Sequence, residues 1–237
     1  MAIRSGFFFL WFVLPFSFSP AEADQSASVP VPVQEPYWVR AFAAQQRLLN
    51  RKVDWCFAGD SLTEHWKSTG KPIMDLEFRD TAIANLGISA DRTEHLLFRI
   101  QKLNFVRAKP AKIVVLIGTN NLAKNDPDSP VETAAAIEKV VRTLVQKCPE
   151  SGIHLLKILP SGYQPDSQLR RRISETNERL DVLNKMERVR VHDFSDLFVN
   201  AEGIWLPGMT IDGTHLSLTG YDHFGRALKE VLNESAP

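Results

Sequence analysis

The chain has 237 residues, 28 Lys plus Arg against 28 Asp plus Glu, and 44% hydrophobic residues. Zero net charge argues against a protein built to neutralise the phosphates of nucleic acid or an anionic membrane. The composition is that of a soluble globular domain, and two cysteines make no disulfide framework, so an ordinary apolar core must hold the fold.

At the N-terminus, Arg4 precedes an uncharged apolar run from Gly6 to Phe18, followed by Pro20-Ala21-Glu22-Ala23. A positive start, an apolar stretch and an A-x-A site describe a secretory signal peptide over residues 1–23, cut after Ala23. The run is too short for a bilayer span, which takes about 20 residues. The expectation is a secreted or periplasmic protein with no stable membrane insertion after cleavage. Residues 24–36, with three prolines and alternating valines, read as a linker or an arm laid on the surface. Residues 37–237 read as a single domain.

The first helical period covers Pro36 to Leu49, and the first strand candidate is Val53 to Ala58. A strand at Ala82 to Leu86, a helix at Thr93 to Leu103 and a strand at Lys112 to Ile117 follow. From Val131 to Gln146, Val131, Ala134, Ile137, Val140, Val141 and Leu144 make one apolar stripe with Glu132, Glu138 and Arg142 outside it. His154 to Leu159 reads as strand, Gln168 to Lys185 as helix, Val189 to His192 as strand and Ser217 to Leu232 as helix. Strands with continuous apolar character alternating with helices predict an α/β fold with a five-stranded parallel sheet covered on both faces. Right-handed crossovers place all strand carboxyl ends on one edge, where the loops of such sheets carry chemistry.

Four loops at those ends carry chemistry-bearing residues: Gly59-Asp60-Ser61-Leu62, Asn85-Leu86-Gly87, Gly118-Thr119-Asn120-Asn121 and Asp212-Gly213-Thr214-His215. Each alone has a plain reading. Ser61 with Glu64 fits a helix capping box, Gly87 and Asn120 are common turn residues, and Ser217 caps the last helix. Together they supply what a serine nucleophile needs: a base, an orienter for that base, and donors for the oxyanion.

These four blocks, in this order, resemble those of the GDSL, or SGNH, hydrolases. The stretch from Ile88 to Ile100 and Leu159-Pro160-Ser161-Gly162 are most similar to the platelet-activating-factor acetylhydrolase-like branch. The resemblance implies a flavodoxin-like three-layer α/β/α sandwich, with Ser61 as nucleophile, His215 as base and Asp212 as its orienter. The Ser61 and Gly87 backbone N–H groups and the Asn120 amide would form the oxyanion hole. Asp60 would support the loop. Asn121 stands where many members carry Asp. No metal or cofactor is implied, and a free imidazole titrates near about 6.5, so activity should rise as His215 becomes neutral. The expected activity is hydrolysis of short-chain acyl esters, acetyl on carbohydrate first, through an acyl-serine. The alternatives are a lysophospholipase or thioesterase of the same family, a glycan-binding module without turnover, and a metal phosphodiesterase using Asp60, Asp212 and His215.

Other polar residues receive plainer readings. Asp91, Arg92 and Glu94 suit a helix start, and Arg170 to Arg172 a solvated helix face. His65, His95, His154, His192 and His223 read as surface or structural histidines. Trp66, Tyr163, Trp205 and Met209 suit either a substrate pocket or the core. Cys56 and Cys148 read as small buried hydrophobes before they read as a pair.

Overall fold

In the computed structural model, which describes residues 27–234, the five apolar runs become five parallel strands. They are β1 (Trp55–Gly59), β2 (Ile83–Gly87), β3 (Lys112–Leu116), β4 (Gly152–Leu156) and β5 (Val189–His192), in the order β2-β1-β3-β4-β5. Every residue of β1 is buried because both faces of the sheet are covered. Trp55 and Phe57 point to one face, where they pack with Phe78, Tyr221, Phe224 and Leu228. Cys56 and Ala58 point to the other, with Leu96, Ile100, Ile137 and Leu144. This is the three-layer α/β/α arrangement. The expected signal segment lies outside the described residues, and no helix among those described is long and apolar enough to cross a membrane.

The helices are α1 (Pro36–Leu48), α2 (Ser61–Glu64), α3 (Lys71–Glu77), α4 (Thr93–Lys102), α5 (Thr119–Ala123), α6 (Pro130–Lys147), α7 (Gln168–Leu180) and α8 (Leu218–Glu234). The start of α6 is fixed by a reciprocal pair, Ser129 Oγ accepting the Glu132 N–H and Glu132 the Ser129 N–H, with Pro130 in the first turn. Ser217 Oγ accepts the Gly220 N–H at 3.0 Å ahead of α8.

Two element ends differ markedly from the sequence expectation, and two short helices were not expected. β4 ends at Leu156 because the next backbone groups leave the ladder: Ile158 N–H donates to Asn177 Oδ1 and its carbonyl accepts from Asn177 Nδ2. The helix expected to run to Lys185 ends at Leu180 and tightens into a 3₁₀ turn, Asp181–Lys185. The short helices α3 and α5 carry too few residues to show a period. Before α1, the arm docks on the start of α4, with Thr93 Oγ1 donating to the Ala27 carbonyl and Val31 N–H to the Glu94 carbonyl. Cys56 and Cys148 are free buried thiols, and burial raises the pKa of both.

Candidate active site

The strand order turns back between β1 and β3, and a crevice outside the carboxyl ends is the usual place for a site in such a sheet. Ser61 stands there as the first residue of α2, so its N–H is among those with no acceptor inside the helix. The turn that presents it is held by Asp60, whose Oδ1 accepts the Leu62 N–H at 3.0 Å. Asp60 is 1% exposed, and burial pushes its carboxyl up to about 7. It caps α2, and its hydrogen bond goes to that turn and not to the imidazole at 215. Gly59 is required at the strand end, since a Cβ there would sit 2.1 Å from the Leu116 carbonyl oxygen.

The 210–216 loop brings the His215 imidazole to the Ser61 hydroxyl. His215 Nε2 lies 3.0 Å from Ser61 Oγ, and its Nδ1 lies 2.6 Å from Asp212 Oδ2. The other Asp212 oxygen accepts the Thr214 and His215 N–H groups at 2.9 and 2.7 Å. Partial burial works to raise the Asp212 pKa, yet these hydrogen bonds outweigh it and hold the carboxyl below its ordinary value. An ionised Asp212 fixes the tautomer with the Nδ1 proton toward itself, leaving Nε2 free to accept from Ser61. His65, read from sequence as structural, lies with its ring 5.0 Å from that of His215.

Asn120 is half-buried near the start of α5, its Nδ2 donating to the Asp91 carbonyl at 2.9 Å, which leaves the second amide hydrogen available. Gly87 departs from the expectation. Its N–H donates to Asn85 Oδ1 at 2.9 Å, and its missing Cβ makes room for the Glu64 backbone, 2.3 Å from where that Cβ would lie. Gly87 thus packs α2 onto β2 and offers no free donor. Three residues on, Ala90 adopts φ +63°, and among the described residues its N–H has no acceptor.

The support around the site was mostly missed by sequence reasoning. Asp91, read as a helix-start residue, is a fully buried partner of Arg99, itself 0% exposed. Asn121 Oδ1 accepts the Thr93 N–H at the start of α4, while its Nδ2 faces Thr93 Oγ1, Glu94 and Asp128. Arg170 is not simply solvated: it donates to the Gly162 carbonyl and lies 5.6 Å from the Trp205 ring. Trp66 and Met209 belong to the core, whereas Tyr163 is 58% exposed and lies against Gly213, whose φ is +85°. His154 and His192 share a 3.0 Å hydrogen bond between rings. Among the described residues no group of three or more His, Cys, Asp or Glu is arranged to hold a metal ion.

A doubly wound sheet with a hydroxyl, an imidazole and a carboxylate in line at its switch point defines an α/β protein of the hydrolase type. The chain belongs to the GDSL-like lipase/acylhydrolase family, whose model matches residues 57–223. It is 30% identical over 190 residues to the platelet-activating factor acetylhydrolase IB subunit alpha2 of Rattus norvegicus, covering 77% of each chain. Two solved structures share the fold. One is a GDSL-like lipase of Bacteroides thetaiotaomicron, with TM-score 0.68 and 20% identity over 83% of this chain and 98% of that one. The other is an acetylxylan esterase of Geobacillus stearothermophilus, with TM-score 0.61 and 16% identity over 79% and 97%. Membership of this family supports an enzyme that hydrolyses esters.

Proposed function

We propose that the protein is an exported serine esterase that removes short acyl groups, acetyl foremost, from carbohydrate esters. The observation that carries the reading is the unbroken line Asp212–His215–Ser61, with contacts of 2.6 and 3.0 Å. As Ser61 Oγ attacks the ester carbonyl, His215 takes its proton, and the Ser61 N–H and Asn120 amide receive the negative oxygen. The free N–H at Ala90, not that of Gly87, completes the donor set. His215 then hands its proton to the leaving alcohol, and water activated by the same imidazole releases the acid from the acyl-serine, restoring the free hydroxyl.

Support for a small acyl group comes from the acetylhydrolase and acetylxylan esterase relatives. Support for a sugar as the alcohol comes from Tyr163. The alcohol must sit on the His215 side to collect its proton, and the exposed Tyr163 ring lies against Gly213, between Asp212 and His215. Residues 1–23 carry the export proposal, so the N-terminus of the mature protein should begin at Asp24. Rates on aryl esters from acetyl to dodecanoyl test the acyl preference. A steep fall beyond acetyl supports it, and rates that climb with chain length would instead favour the lysophospholipase or thioesterase reading.

A further inference from the structure

The N-terminal helix grips both loops of the candidate site through adjacent residues. Trp38 Nε1 donates to Asp91 Oδ1 at 2.7 Å, and both side chains are buried. The Tyr37 hydroxyl donates to Glu64, on the same short helix as Ser61. Glu64 Oε2 in turn accepts the Ser89 N–H and hydroxyl at 2.8 and 2.6 Å, tying that helix to the loop after β2. Two turns further along α1, Gln45 accepts from Arg99 Nη1 at 2.8 Å.

Arg99 distributes this grip. It donates to Asp91 Oδ2, to the Leu86 carbonyl at 2.8 Å and to the Gly59 carbonyl at 3.2 Å, the last two lying at the ends of β2 and β1. The Asp91 carbonyl receives Asn120 Nδ2. Four parts of the site therefore meet on one buried ion pair: the strand end before Asp60-Ser61, the end of β2, the loop bearing Ala90, and the Asn120 amide. A buried ion pair is a costly way to gain stability alone, because two charges lose their water. It does fix geometry, since each planar guanidinium hydrogen bond has one direction.

We propose that Trp38 and Tyr37 are positioning residues: through Asp91–Arg99 and Glu64, α1 holds Asn120 and the Ser61 turn in register for oxyanion binding. The inference rests on the esterase reading. It assigns α1 a role in turnover, not in substrate affinity, because the hydrogen bonds of Tyr37, Trp38 and Gln45 go to Glu64, Asp91 and Arg99 and not to Ser61, His215 or Asn120.

The test compares Trp38→Phe, which keeps an aromatic ring against Phe42 and Phe98 and deletes only the N–H, with Leu49→Val, which loosens the packing of the turn after α1 and touches none of these hydrogen bonds. Tyr37→Phe, at a half-exposed position the fold tolerates, is the second variant should Trp38→Phe not fold. With an aryl acetate, Trp38→Phe should lower kcat about tenfold or more at unchanged KM, consistent with the steep cost of small misplacements, and Tyr37→Phe should lower it severalfold. Leu49→Val should lower Tm and leave kcat as it was. Wild-type kcat in both Trp38→Phe and Tyr37→Phe, or a fall in kcat that Leu49→Val reproduces, would overturn the proposal. A wild-type protein without Ser61-dependent turnover would overturn the esterase reading and this inference together.

Discussion

Asn121 is 0% exposed and donates to Asp128 at 2.8 Å and to Glu94 at 3.1 Å, while its oxygen accepts the Thr93 N–H. That setting favours Asn over Asp at this position: a carboxylate would stand as a third negative group beside Glu94 and Asp128 and would lose both donations. Asn121→Asp should therefore destabilise the fold by about 3 kcal/mol, in the range for an uncompensated buried charge. Urea unfolding at pH 7 measures this, and an unchanged midpoint would refute it. Its neighbour Asn120 is, on the proposed reading, an oxyanion donor. Asn120→Ala should lower kcat roughly 10² to 10³ with little change in KM. A rise in KM alone would make Asn120 a substrate-binding group instead. These two adjacent residues look alike in sequence, and what separates them is burial, which a sequence does not display. Gly87 teaches the same lesson in reverse. The glycine was legible as a special position, but not that its N–H turns toward Asn85 and that its bare Cα serves the close approach of Glu64.

Among the elements, the continuous apolar strands were legible because both faces of the sheet are buried, as the unbroken burial of β1 shows. Helices α4, α6 and α8 were legible because each lays one stripe on the core. Short α3 and α5 have no such period, and the end of β4 depends on Asn177, a side chain some 20 positions away. The Asp91–Arg99 pair escaped for a related reason: Asp91 reads as a helix-start residue, and nothing in the sequence marks Arg99 as its buried partner until α1 covers both. The edge of the sheet holds a further consequence. His154 of β4 and His192 of β5 stack at 11° with centroids 5.2 Å apart. Burial, then the nearby His192, Lys112 and Arg190, lower the His154 pKa to about 4, and burial with Arg190 lowers that of His192. The unfolded chain binds protons here from about pH 6.5 downward while the folded chain does not. For His154 the contribution to stability is thus complete above about pH 6.5 and is lost as the pH falls toward 4, by up to about 1.4 kcal/mol per pH unit, and His192 acts in the same direction. Buried Asp60, with its pKa raised to about 7, works in the opposite sense, so comparison with a variant isolates the histidines. Urea unfolding at pH 7.5 and 5 should show a smaller loss in His154→Gln than in the wild type, and equal losses would contradict the assignment.

At the scale of the whole molecule, the strand order β2-β1-β3-β4-β5 collects the ends of β1, β2 and β3 and the 210–216 loop on one edge. Residues 154 positions apart meet there as Ser61 and His215. Ser61, His215 and Asp212, the proposed nucleophile, base and orienter, were legible as a set because each sits in a short block whose residue types have few other uses in combination. Their support, from Trp38 at one end of the chain to Arg99 and Asn121, was not. On this account the chemistry needs only side chains and backbone N–H groups of this chain, with water, so a chelator should leave kcat unchanged, and a loss restored by a divalent cation would favour the phosphodiesterase alternative. The central claim is that the 61 hydroxyl is made nucleophilic by the 215 imidazole. Its most direct measurement is peptide mass spectrometry after treatment with a fluorophosphonate probe. The account predicts a single phosphonyl adduct on the peptide carrying Ser61, greatly slowed by His215→Ala and absent in a folded Ser61→Ala protein. An adduct on another residue, or ester hydrolysis that persists in Ser61→Ala, would contradict it.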